Sequence, residues 1–131
     1  MAYQIADDCL YAENHEWIRV EGDVATVGIS DYAQDELTDV VYVELPEAGA
    51  TFEQGAPFAV VESVKAASDV FLPVEGEIIA VNASLEETPE AVNDDPFGEG
   101  WFVKIKIADP EQMSSLMDPQ AYAAYLETLG A

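Results

Sequence analysis

Basic residues are almost missing from this chain. Its 131 residues hold 27 acids but only four lysines and arginines together, for a formal net charge of −23. That excludes a general nucleic-acid binder, because phosphate recognition needs clustered cations. An anionic membrane surface would repel the chain for the same reason. Cysteine occurs once, as Cys9, so no internal disulfide can form and the fold suits a reducing compartment. One Cys and one His are too few for a zinc site, and no metal centre is expected. No apolar run approaches the roughly 18 residues of a membrane span. Residues 1–9 carry Asp7 and Asp8 and no basic residue, so they read as neither a secretory signal nor a transit peptide. The expectation is a soluble intracellular protein, cytoplasmic as a prokaryotic-type chain or in the mitochondrial matrix as a processed mature form.

What is present supports a packed fold. Half of the residues are hydrophobic, which argues against disorder despite the charge. The length fits one domain, whose folding can bury roughly two-thirds of the extended chain's surface. Residues 1–131 are therefore read as a single domain, with 109–130 a helical C-terminal extension packed on it.

The pattern is mainly β. Strands are predicted over 16–20, 24–29, 40–45, 57–64, 68–72, 76–82 and 100–107. Gly22-Asp23 separates the first two as a hairpin turn. Short strands at this spacing suggest a sandwich or barrel. Ser30 or Asp31 caps a short helix through 34–37. Ser84, with Glu87 three residues on, resembles a capping box whose helix Pro89 cuts short. Asp109-Pro110 and Asp118-Pro119 each place an N-cap before a proline at the first helical position. After the second, Tyr122, Tyr125, Leu126 and Leu129 fall at helical spacing and form a packing stripe, with Gly130 as the stop.

With so few cations, each can be weighed. Arg19 lies in Trp17-Ile18-Arg19-Val20, and Lys104 and Lys106 lie in a stretch where Trp101, Val103, Ile105 and Ile107 share the opposite face. These three read as strand residues with solvated tips. Lys65 differs. It sits between two strand-like segments, where a hairpin would turn, although the turn lacks Asn-Gly or Asp-Gly. Glu62 and Asp69 flank it. Acids suit a charged ammonium, whereas a Schiff-base lysine needs apolar burial. Two readings stand on local signals: an exposed turn lysine, or the acceptor of a covalent group delivered by a modifying enzyme. A lysine-dependent enzyme fits poorly, because no second basic residue lies near Lys65 in sequence.

The ordered motifs narrow this choice. His15-Glu16-Trp17, Val24-Ala25-Thr26-Val27-Gly28-Ile29, Asp31-Tyr32-Ala33-Gln34, Val43-Glu44-Leu45-Pro46, Val61-Glu62-Ser63-Val64-Lys65-Ala66 and Asp95-Pro96-Phe97-Gly98-Glu99-Gly100-Trp101 closely resemble the glycine cleavage system H protein family. The resemblance runs from about Leu10 to Leu126. It implies a mainly β (β+α) fold, a lipoyl-domain-like barrel-sandwich hybrid of antiparallel strands with short helices and a C-terminal helix. It implies lipoate on Lys65 through an amide bond, with Glu62, Ser63, Val64 and Ala66 as the recognised surroundings of the modification site. It implies a non-catalytic carrier. Such a carrier takes an aminomethyl group from a pyridoxal-phosphate-dependent glycine decarboxylase to an aminomethyltransferase, and is reoxidised by dihydrolipoamide dehydrogenase. Lipoate-attaching enzymes are further implied partners. The arm cleft that protects the cargo maps onto Glu16, Asp69 and Asn14, where some relatives carry Ser at the last position. Two neighbouring readings are an H-like lipoyl-relay protein and a biotin carrier. Biotin sites flank their lysine with Met, where this chain has Val64 and Ala66.

Overall fold

The computed structural model describes residues 3–130; Met1, Ala2 and Ala131, which belong to the expected 1–131 unit, lie outside the described residues. The chain runs β1 (Leu10–Tyr11), β2 (Glu16–Glu21), β3 (Val24–Ile29), α1 (Asp31–Leu37), β4 (Val40–Glu44), β5 (Thr51–Phe52), β6 (Pro57–Ser63), β7 (Ala67–Phe71), β8 (Gly76–Val81), α2 (Ser84–Glu87), α3 (Ala91–Asp94) and β9 (Val103–Ile107). A 3₁₀ turn (Pro110–Ser115) and α4 (Pro119–Thr128) follow. The strands form two antiparallel sheets, ordered β1-β2-β3-β9-β8-β5 and β4-β6-β7. Among the described residues, no helix is long and apolar enough to cross a membrane.

The alternation expected of half-buried strands builds the core. Ile18, Ala25, Val27 and Ile105 from the larger sheet meet Val43, Val61 and Val70 from the smaller one, all in one buried cluster. A second cluster gathers Cys9, Tyr11, Trp17, Phe97, Tyr122 and Leu126, so α4 is held by aromatic packing. Burial pushes the Cys9 thiol up to about 12, which leaves it a small hydrophobe. Trp17 pairs across the hairpin with Gly28, where a Cβ would stand 2.6 Å from the indole ring. Gly22 opens the β2–β3 turn at φ +67, as a two-residue hairpin loop requires.

Several local expectations change. β1 and β5 are two residues each, too short to show a periodicity. The strand expected from residue 100 begins at Val103, because Gly100 turns tightly over α3 and a Cβ there would meet the Ala91 carbonyl at 2.8 Å. Trp101 therefore leaves the Val103 row and lies under Lys104, whose Nζ is 5.5 Å from the ring centroid. The capping box at Ser84 does not form. Ala83 takes the cap position, and the Ser84 hydroxyl donates to buried Asn82 at 2.6 Å. The 109–115 helix is 3₁₀ rather than α, with Asp109 accepting from Glu111 N. Asp118 caps α4 by accepting from Ala121 N at 2.7 Å. Tyr122 and Leu126 are buried as the stripe implied, but Leu129 lies past the last turn and is exposed.

Candidate functional site at the Lys65 hairpin

β6 and β7 form the predicted hairpin, with Glu62 opposite Ala67 and Lys65 at the tip. Ser63 explains how the turn closes without Asn-Gly. Its backbone N–H donates to the Ala66 carbonyl at 2.8 Å. Its hydroxyl oxygen accepts from the N–H groups of Lys65 at 3.2 Å and Ala66 at 3.1 Å. Neither Val64 nor Lys65 needs a positive φ. A serine side chain does the work of a backbone carbonyl here. Val64 and Ala66, on either side of the lysine, are both exposed, Val64 at 68%.

The neighbouring acids do not behave as the sequence suggests. Among the described residues, Lys65 pairs with neither Glu62 nor Asp69. Its Nζ donates to the carbonyl of Glu36 at 3.2 Å, at the C-terminal turn of α1. Glu62 instead stands opposite Tyr42 of β4. The amine is thus at the mouth of a cleft of about 350 Å³ bordered by Glu36 and Leu37.

That cleft brings Asn14, Glu16 and Asp69 together. Its walls are largely apolar, with Ile29, Ala33, Val61, Val70 and Phe71. Glu16 is 3% exposed, at the start of β2, and its Oε2 accepts from Phe71 N at 3.2 Å. Burial raises its carboxyl to about 7, partly offset by that hydrogen bond. It exchanges a proton near neutrality, inside the cleft. Asp69 stands opposite Val60 and the adjacent Ser68 opposite Val61, so the two point to opposite faces of β7. Asp69 also borders the neighbouring cleft beside Glu44 and Phe58, and is a rim residue. Asn14 is exposed on the turn that leads into β2.

His15 shapes the cleft without having been assigned to it. It occupies φ +75, a conformation more tolerable for His than for most side chains. Its carbonyl accepts from Ser30 N at 2.9 Å. Its Nδ1 meets the Tyr122 hydroxyl at 2.9 Å, and that hydroxyl meets Ser30 Oγ at 2.7 Å. Ser30 Oγ also accepts from Ala33 N and caps α1. The cleft wall, the start of α1 and α4 are therefore one hydrogen-bonded unit. Burial holds His15 below its ordinary value, which favours the neutral ring.

The residues suit an acyl-chain cofactor on an amine. A protruding lysine is held by a neutral acceptor, and beside it lies a cleft with apolar walls and one buried acid. The chain is similar to known proteins over most of its length. The family model for the glycine cleavage H-protein matches residues 9–129. The glycine cleavage system H protein of Parvibaculum lavamentivorans is 53% identical over 122 residues, covering 93% of this chain and 98% of its own. That of Chromohalobacter salexigens is 56% identical over 115 residues, covering 87% of this chain and 88% of its own. The crystal structure of a glycine cleavage system H protein from Mycobacterium marinum matches with a TM-score of 0.87 at 33% identity, over 94% of this chain and 99% of that one.

Proposed function

This chain belongs to the glycine cleavage H-protein family, and from that membership we propose that it is the lipoyl carrier of glycine cleavage, with Lys65 as the attachment residue. The observation that supports Lys65 is its place at a hairpin tip, where one neutral carbonyl holds the amine at the mouth of the cleft. When bound, lipoate supplies a disulfide that accepts an aminomethyl group and hands it on.

The chain's own residues do the rest. Ser63 fixes the turn, so Lys65 projects at a defined height for an attaching enzyme to find. That enzyme presents the activated acyl donor and takes the amine proton. The apolar walls would exclude water from an arm lodged in the cleft. Glu16 offers a buried carboxyl to an amine cargo, and charges when the cargo is cationic. Asp69 and Asn14 line the cleft and would face the outer side of a cargo held there. We assign no catalytic residue. The carrier's contribution is tethering, which raises the local concentration of a labile group at each enzyme it visits.

The partners are other components of glycine cleavage. We assign them as the pyridoxal-phosphate-dependent glycine decarboxylase, the aminomethyltransferase and dihydrolipoamide dehydrogenase, together with a lipoate-attaching enzyme. We place the carrier in the cytoplasm and treat residues 1–131 as one working unit. Coexpression with a lipoate ligase tests the assignment. The intact mass gains one lipoyl group, and peptide mapping locates it on Lys65. An unmodified chain, or a group on Lys104 or Lys106, overturns it.

A further inference from the structure

The segment that receives the lysine has an unusual backbone. Thr38 follows α1 at φ +64 and ψ −150, a region essentially reserved for glycine. A β-branched residue persists there only if its surroundings hold it. Within its own turn, Thr38 N–H donates to the Asp35 carbonyl at 3.2 Å and its hydroxyl to the Leu37 carbonyl; the side chain that holds it from another element is Asn93 of α3. Its Nδ2 donates to the Thr38 carbonyl at 2.8 Å and to Gln34 Oε1 at 2.9 Å. Its Oδ1 accepts from Val40 N at 2.8 Å. The two backbone partners fix which end of the amide is which. Both donors and the acceptor are in use, so Asn93 grips the α1–β4 junction at three points.

That junction in turn grips the hairpin tip. The Glu36 carbonyl, two residues before Thr38, receives Lys65 Nζ. The Asp39 carbonyl, one residue after it, receives Val64 N at 3.0 Å. Val40 then pairs with Ser63 at the last rung of β4–β6. The contacts after Thr38, from Asp39 and Val40, reach the tip together with the Glu36 carbonyl only through a turn that Thr38 alone does not favour.

We propose that Asn93 is the positioning residue of the lipoyl-attachment site, holding Thr38 in its glycine-like conformation so that the Glu36 and Asp39 carbonyls present Lys65 and Val64 at a fixed height. The inference rests on the reading of Lys65 as the acceptor. It adds a residue that touches neither the lysine nor the cleft, and a mechanism: backbone conformation is enforced from a third element. Glycine adopts that conformation without penalty, so a glycine at position 38 makes the clamp dispensable.

The test is a double-variant series on the full chain: Asn93→Ala, Thr38→Gly and both together. Hydrogen exchange at Val64 N–H reads the tip directly, and lipoate-ligase kinetics read recognition. In Asn93→Ala, Val64 exchanges about tenfold faster and the ligase's KM for the carrier rises about tenfold with kcat unchanged, the weight of roughly one hydrogen bond. Adding Thr38→Gly returns both quantities toward the parent values. A merely structural role would quicken exchange throughout the core and lower the competent fraction without moving KM. If Asn93→Ala does not fold, Asn93→Asp keeps the acceptor for Val40 N and loses the donor to Thr38, with the same expected pattern. Unchanged Val64 exchange or KM, or no rescue by Thr38→Gly, overturns the proposal. If the parent chain takes no lipoyl group, the Lys65 reading fails, while Val64 exchange still decides whether the clamp exists.

Discussion

At the Arg19 corner, a guanidinium makes a 2.8 Å ion pair with Asp8, donates to the Phe97 carbonyl at 3.1 Å and lies 4.8 Å from the centroid of the Trp17 ring. At the Lys65 tip, an ammonium has one partner among the described residues, the Glu36 carbonyl at 3.2 Å. The chain has only four such cations. One is immobilised by a carboxylate, a carbonyl and a ring, and it ties the N-terminal segment to the loop before β9. The other is exposed and held by a neutral group, which leaves its amine available for acylation. The Lys65 tip belongs to the β6–β7 hairpin, but the cleft beside it and the Arg19 corner share β2, which carries Glu16 at its start and Arg19 in its middle. A single strand thus serves the cleft at one point and the anchor at another.

The comparison is broken most sharply at Lys65. Lys65→Arg keeps the charge and can still reach the Glu36 carbonyl. A guanidinium stays protonated in proteins and does not accept an acyl group. The expected outcome is loss of lipoyl mass and of glycine-cleavage turnover to background, with an unchanged melting temperature. Retained turnover moves the attachment site elsewhere.

Glu16 gives the next largest effect, and it separates function from stability. The folded chain holds its carboxyl at about 7, against an ordinary 4.5. The folded state therefore binds the proton more tightly. This contribution to stability is fully present below about pH 4.5 and fades as pH rises through 7. At about 1.4 kcal/mol per unit, the buried charge costs up to roughly 3 kcal/mol at pH 8. Glu16→Gln keeps an acceptor for Phe71 N and removes that cost. Denaturant unfolding should show the variant more stable at pH 8 and a flatter profile between pH 5 and 8. The loaded carrier should release ammonia and formaldehyde sooner. A stabilised variant with unchanged release would remove Glu16 from the cargo's protection.

The two corners also differ in how far the sequence reveals them. Lys65 is conspicuous, because its flanking strands and the shortage of cations single it out within a dozen residues. Glu16 enters only through the family resemblance; no local pattern marks a strand-opening acid as buried. Arg19 reads as a solvated strand residue and is not one, since its partners lie 11 and 78 residues away. The Glu36 carbonyl has no sequence signal at all. It is a backbone atom left free at the end of α1, where Thr38 turns the chain at a φ that cannot be inferred from a threonine. The capping box at Ser84 fails for a related reason: buried Asn82 takes the hydroxyl, and burial is a tertiary property. The fold itself is largely legible, as alternation and turn residues mark seven of the nine strands among the described residues. The other two are too short to carry a pattern.

Arg19→Ala makes the smallest change and tests whether the corners are independent. The ion pair contributes little, because Asp8 is 65% exposed and water screens it. The Trp17 contact and the hydrogen bond to Phe97 matter more. Their loss should cost about 1–2 kcal/mol in unfolding free energy. Arg19→Lys should fall between the parent and the alanine variant, since an ammonium keeps the charge near Asp8 but loses the planar stack. Because the ionic share is small, added salt should leave the difference between parent and Arg19→Ala nearly unchanged. Lipoyl attachment at Lys65 should not change in either variant. If it falls, the strand that carries both Glu16 and Arg19 transmits disorder from the anchor to the cleft, and the aromatic corner becomes part of the site.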